Sequence, residues 1–114
     1  MPSQKIAIGL VAVALFVGSV TAYAAEFDVG VKAYKRGDYA TAIQIFRQLA
    51  DQGYARAQTN LGFMYQTGLG VTQDYATALR WGRKAAEQGE AVAQYTLGNM
   101  YDNGQGVAQD TRQR

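Results

Sequence analysis

The chain has no cysteine and no histidine among its 114 residues. That removes disulfides, thiolate and imidazole metal ligands, cysteine nucleophiles and the side chain that most often serves as a general base near neutral pH. Proline occurs once, at Pro2, so nothing after the first residues forbids long helices. An excess of one charge sign is also missing: the net charge is +2, and charged residues make up 18%. So small a balance does not predict a nucleic-acid partner, which would need clustered Lys and Arg. The basic residues from Lys32 to Arg114 are spread among acids, and the short set Arg80, Arg83 and Lys84 is the nearest thing to a basic stripe. Hydrophobic residues at 48% argue against disorder, and the length allows one small domain.

A long uncharged run occurs once. Lys5 is followed by twenty uncharged residues, Ile6 to Ala25, before Glu26. Its apolar centre ends in small residues, and Ala22-Tyr23-Ala24 supplies an A-x-A cleavage pattern. Residues 1–24 therefore read as a signal peptide cut after Ala24, which predicts a periplasmic or secreted protein. An uncleaved membrane anchor is the competing reading, since twenty uncharged residues just span a bilayer. Gly9, Gly18, Ser19 and Thr21 dilute that span.

What the chain has instead of catalytic residue types is repetition. "GYARAQTNLGFMYQTGLGVTQD" at 53–74 aligns without gaps to "GEAVAQYTLGNMYDNGQGVAQD" at 89–110, with 13 of 22 positions identical. "DYATAIQIFRQLADQG" at 38–53 matches "DYATALRWGRKAAEQG" at 74–89 at 9 of 16 positions. A period of 36 residues with two helical halves is the signature of a solenoid of helical hairpins. Ala57, Leu61, Met64 and Tyr65 recur at i, i+4, i+7 and i+8, and Ala78, Leu79, Ala85 and Ala86 form a second stripe. The spacing predicts helices near 26–36, 39–52, 55–67, 75–88 and 91–103. Gly68, Gly104, Gly53 and Gly89 stand where helices should stop, and Asp38, Asp74 and Asp110 where the second helices should start.

Catalytic and ligand motifs are weak. The Gly-x-Gly pairs in "GLGV" and "GQGV" lack the third glycine, or the Gly-Lys-Ser/Thr ending, of a phosphate loop. "YDNGQG" at 101–106 lacks the alternating acids and closing Glu of a calcium loop. No spacing brings two carboxyl groups together for acid–base work. The expectation is a non-catalytic protein without metal or cofactor. Tyr65 and Tyr101 occupy matching repeat positions and read as packing residues, whereas Tyr34, Tyr54 and Tyr95 lie off the pattern and are freer for a partner.

The spaced pattern A-x-A-Q-x-x-L-G-x-M-Y-x-x-G-x-G-V-x-Q-D-x-x-x-A-x-x-W-x-x-K-A-A-E-Q-G closely resembles the Sel1-like repeat, a relative of the tetratricopeptide repeat. One unit spans 53–88, and 89–114 is a second that lacks its second helix. Residues 25–52 look more like a tetratricopeptide hairpin, because "YKRGDYATAI" joins its helices without the extra loop residues. The sequence departs from the pattern at Thr72 and Ala108, where the family often has proline, and at Gly82, which replaces an aromatic.

The resemblance implies an all-α fold, a right-handed α/α superhelix of about two and a half hairpins, with members that mostly act as adaptors and scaffolds. It also implies that the first helix of each pair lines a concave face. By that resemblance the partner-binding residues would be Tyr34, Lys35, Arg56, Asn60, Phe63, Gln66, Tyr95 and Asn99, with Phe27 and Val31 beside them. The partner would be a peptide or helix of another protein, with no nucleic acid and no membrane contact beyond an uncleaved anchor. A remnant of a longer repeat protein is the alternative. A hydrolase akin to cysteine-rich exported relatives is a remote one, as the chain has neither their cysteine pairs nor Ser-x-x-Lys. After Asp110 only Thr-Arg-Gln-Arg remains, so Leu97, Met100 and Tyr101 should be exposed on a final uncapped helix. That end could serve for self-association.

Overall fold

The computed structural model describes residues 21–107, and these form five α-helices with no strand. Helix α1 covers residues 21–35. It is followed by α2 (Tyr39–Asp51), α3 (Ala55–Thr67), α4 (Tyr75–Glu87) and α5 (Ala91–Asn103). The expected signal segment falls mostly on residues 1–20, outside the described region. Its last four residues, 21–24, belong to α1, and there Tyr23 packs edge-on against Tyr54 with ring centroids 6.2 Å apart. The chain beyond Val107, which includes Asp110 and the expected C-terminal break, also lies outside it.

Successive helices lean on one another, and the architecture is an all-α repeat superhelix. The main core joins Phe27 and Ala33 of α1, Ile43, Phe46 and Leu49 of α2, and Ala57, Leu61 and Met64 of α3. A second cluster continues it through Ala78 and Leu79 of α4 to Met100 of α5. Met100 is 2% exposed, so the expectation that it would lie open on the last helix is overturned: its side chain points back onto α4. Leu97 is half-buried and Tyr101 is exposed.

Backbone groups at the turns are satisfied by repeated devices. Asp38 accepts from the Thr41 N–H at the start of α2, and Asp74 accepts from the Ala76 and Thr77 N–H groups at the start of α4. The amide of Gln58 donates to the Ala50 carbonyl at 3.2 Å, and Gln94, one period later, donates to Ala86 at 3.2 Å. Each glutamine thereby adds a second donor to a carbonyl in the last turn of the preceding helix, which also accepts from the N–H of the closing glycine, Gly53 or Gly89. Gln58 is itself buried, so this bond is made in a site where an unpaired amide would be costly.

The Gly-x-Gly loops have a steric reason. Gly68 and Gly104 close α3 and α5 in the left-handed conformation, with φ of 76° and 71°. The second glycines, Gly70 and Gly106, both have φ of 77°, and a Cβ on either would lie 2.8 Å from the carbonyl oxygen of Tyr39 or Tyr75. The loop therefore rests on the first turn of the preceding second helix, and only glycine permits both the dihedral and the approach.

Identical repeat glycines inside the helices differ in consequence. A Cβ on Gly62 would sit 3.2 Å from the Ala78 carbonyl, whereas nothing lies within 4 Å of one on Gly98. Among the described residues close helix approach, expected at both, occurs only at Gly62. Gly98→Ala should therefore stabilise the protein by about 0.5–1 kcal/mol through helix propensity, while Gly62→Ala should destabilise it; urea unfolding of the two variants would show the opposite signs.

The capping carboxyls set an acid limit. The Thr41 hydroxyl and N–H hold Asp38 below its ordinary value of 3.8, and those of Thr77, helped by Ala76 N–H, do the same for Asp74. A carboxyl with a lowered folded value stabilises the fold fully above the ordinary value and ceases to do so as pH falls through the folded one. Thermal melts from pH 6 to pH 2 should show a loss below about pH 4 that is shallower in the Asp38→Asn, Asp74→Asn double variant, where asparagine still caps but cannot titrate.

Candidate interaction site

A pocket lies where α1, α2 and α3 meet. It has a volume of about 230 Å³ and is lined by Val31, Tyr34, Lys35, Phe46, Asn60 and Phe63. Phe46 is 1% exposed and forms the floor. It is anchored from behind by Phe27, whose ring lies 5.5 Å away, and Gly30 makes room for it: a Cβ there would come within 2.7 Å of the Phe46 ring. Phe63 stands on the wall with 43% of its surface exposed, an unusual state for a large apolar side chain on a helix otherwise well packed. Tyr34, Lys35 and Asn60 supply the polar groups around it.

Four of the eight predicted concave residues, Tyr34, Lys35, Asn60 and Phe63, thus converge on one pocket. Gln66 is placed elsewhere: it lines a much smaller cavity between α3, α4 and α5, together with Phe63, and its amide donates to the Gln105 side chain at 3.1 Å. Arg56 turns its guanidinium onto the Phe27 ring, 4.6 Å from the centroid, and does not line the pocket. Tyr95, 74% exposed, and Asn99, also exposed, stand on α5 away from it. Phe27 is buried and offers no surface to a partner.

The tyrosines need partial reassignment. Tyr34 precedes Gly37 by three residues, as Tyr65 and Tyr101 precede Gly68 and Gly104, so it does occupy a repeat position. It packs edge-on against Tyr39 at 5.3 Å. Tyr54 is half-buried against Phe27, whereas Tyr34 still lines the pocket and Tyr95 is largely exposed. The feature missed in the sequence is a repeated clasp: Arg47 donates to the Tyr65 hydroxyl at 2.9 Å, and Arg83 donates to the Tyr101 hydroxyl at 2.8 Å. The shared spacing of these pairs is visible in the sequence and could have signalled it. Arg83 also lies over the Tyr101 ring, Lys84 lies over Trp81, and Arg80 donates to the Thr77 hydroxyl. The basic stripe of α4 is thus engaged within the repeats. The aromatic floor was missed because Phe46 lies on a second helix, which the concave-face expectation set aside.

This fold and its loops define a class. The Sel1 repeat family model matches residues 21–54, 55–90 and 91–113, and the chain belongs to that family. It is similar in structure to a protective antigen of uropathogenic Escherichia coli strains with an SLR fold, at 37% identity and a TM-score of 0.72, over 77% of this chain and 20% of that one. A Sel1 repeat protein from Oxalobacter formigenes is also similar, at 35% identity and a TM-score of 0.69, over 76% of this chain and 37% of that one. The chain therefore spans a fifth to somewhat over a third of the length of these relatives. Comparison with curated proteins gives no match. Sel1 repeats generally mediate contacts between proteins and are typically non-catalytic scaffolds.

The floor and the wall of the pocket should respond differently to truncation. Phe46→Ala should cost about 3–5 kcal/mol, enough to unfold so small a domain, while Phe63→Ala should cost about 1 kcal/mol or less. Chemical denaturation of both variants checks this, and the second outcome makes Phe63 usable as a binding probe.

Proposed function

We propose that this protein is an interaction module of the bacterial envelope that seats a short segment of another protein in the pocket between α1 and α3. The observation that carries the reading is the convergence of Tyr34 and Lys35 of α1 with Asn60 and Phe63 of α3 over the Phe46 ring. An exposed phenylalanine beside an apolar hollow is the type of surface that receives an anchor side chain. Tyr34 and Asn60 can exchange hydrogen bonds with a peptide backbone, which an apolar hollow alone could not orient.

At about 230 Å³ the pocket lies below the roughly 300–1,000 Å³ usual for small-molecule sites, which favours one inserted side chain over a metabolite. The uncharged run Ile6–Ala25 with its A-x-A pattern supports export. No helix among the described residues is long and apolar enough to cross a membrane. Tyr95 and Asn99 would extend the contact along the first helix of the following unit, with Tyr95 as a second anchor on α5.

Selection from a displayed library of random twelve-residue peptides tests the reading. Enriched peptides should bind the protein and lose at least tenfold in affinity to the Phe63→Ala variant. Enriched peptides indifferent to that substitution, with the variant still folded, would reject the pocket as the seat.

A further inference from the structure

Resting on that reading, we infer that the segment seated in the pocket carries an acidic side chain directly beside its apolar anchor, recognised by Lys35. The charge around the pocket is one-sided. Lys35 is the only ionisable cation or anion among the six lining residues that is charged at neutral pH, and no acidic side chain lines the site. Among the described residues the sole ion pair joins Arg36 to Asp38 at 3.5 Å, so Asp38 is already engaged by the neighbouring guanidinium. Helix α3, which forms the opposite wall, carries no acid anywhere in its sequence, ARAQTNLGFMYQT. The acids of α1, Glu26 and Asp28, precede Lys35 by nine and seven residues. At 1.5 Å per residue they lie roughly 10 Å or more away along the axis. The cations on the other helices are committed elsewhere, Arg47 to the Tyr65 hydroxyl and Arg56 to the Phe27 ring.

The ammonium therefore stands beside an apolar hollow without a carboxylate of its own. An incoming peptide whose anchor enters between Val31, Phe46 and Phe63 brings its adjacent residue to that ammonium. A carboxylate there gains an ion pair next to a low-dielectric wall, while a second cation is repelled. Lys35 stands at the end of α1, where a cation is also favoured by the helix dipole, and lines the pocket from there. Anchor and charge together would give the site a two-residue preference, apolar followed or preceded by acidic.

The test uses the full chain and short synthetic Gly/Ser peptides with blocked ends, each with a central leucine whose neighbour is Asp, Asn or Lys. Binding is read by isothermal calorimetry or tyrosine fluorescence at low salt. The Asp peptide should bind two- to fivefold more tightly than the Asn peptide, as expected for a partly exposed ion pair. The Lys peptide should bind weakest. Lys35→Gln should erase the Asp–Asn difference, and Lys35→Glu should reverse the order of Asp and Lys peptides. Phe63→Ala should weaken all three. Equal binding of the Asp and Asn peptides, lost in Phe63→Ala, would overturn the acidic preference while leaving the pocket as a peptide seat. If instead an Asn peptide with a free C-terminal carboxylate outbinds the blocked Asp peptide, Lys35 reads a chain end and the inference falls. Absence of binding by any of them, where library-selected peptides do bind at Phe63, equally overturns it.

Discussion

Helix α3 is the element on which its neighbours on both sides depend. Leu61 and Met64 have no exposed surface, because α2 covers one side of the helix and α4 the other. Gly62 between them lets the α4 backbone approach so closely that a Cβ would already press on the Ala78 carbonyl. A two-helix hairpin of this size could not enclose such residues by itself, so burial is shared along the stack. The pocket follows from the same constraint. Its floor, Phe46, is held between α1 and α3, and its wall, Phe63, projects from the face of α3 that neither neighbour fully covers.

Polar repeats fix the register of that stack. The Gln58 and Gln94 amides bridge from the start of one helix to the last carbonyls of the one before it. Gln88 adds a link between units, donating to the Gly53 carbonyl at 3.1 Å and to the Gln58 side chain at 2.9 Å. The Arg–Tyr clasps tie each second helix to the first helix of the next hairpin. Directional bonds of this type add little net stability singly, about 0.5–1.5 kcal/mol each. Sliding one hairpin against the next would break several at once, so they select one arrangement among many that would bury the apolar stripes equally well.

Glycine has three distinct roles in the repeat. Gly68 and Gly104 end helices, Gly70 and Gly106 admit the backbone of a neighbouring unit, and Gly62 thins a helix for packing. Gly82 serves none of these: a Cβ there would meet only the Leu97 side chain, at 3.8 Å. It stands where the preceding unit has Phe46, and the cavity on that side is much smaller. The two inter-hairpin sites thus differ at this position among others, and only the first has an aromatic floor.

Periodicity and turn chemistry made the helices, their order and the repeat legible in the sequence. Helices α2 to α5 fall on the expected segments, since Ala57, Leu61 and Met64 mark a buried stripe whatever covers it, and Asp38, Asp74, Gly68 and Gly104 mark boundaries through local backbone chemistry alone; α1 is already helical at residue 21, five residues before its expected start. The candidate site was legible in part. Placement on the first helices identified Tyr34, Lys35, Asn60 and Phe63, but helix spacing could not reveal that Arg56 would turn to Phe27, that Gln66 would pair with Gln105, or that Met100 would fold inward. Those outcomes depend on which neighbour lies within reach of a long side chain, a property of how helices pack and not of the order of residues along one of them. Local sequence determined where each helix runs and which stripe it buries; tertiary packing decided which exposed side chains share a pocket.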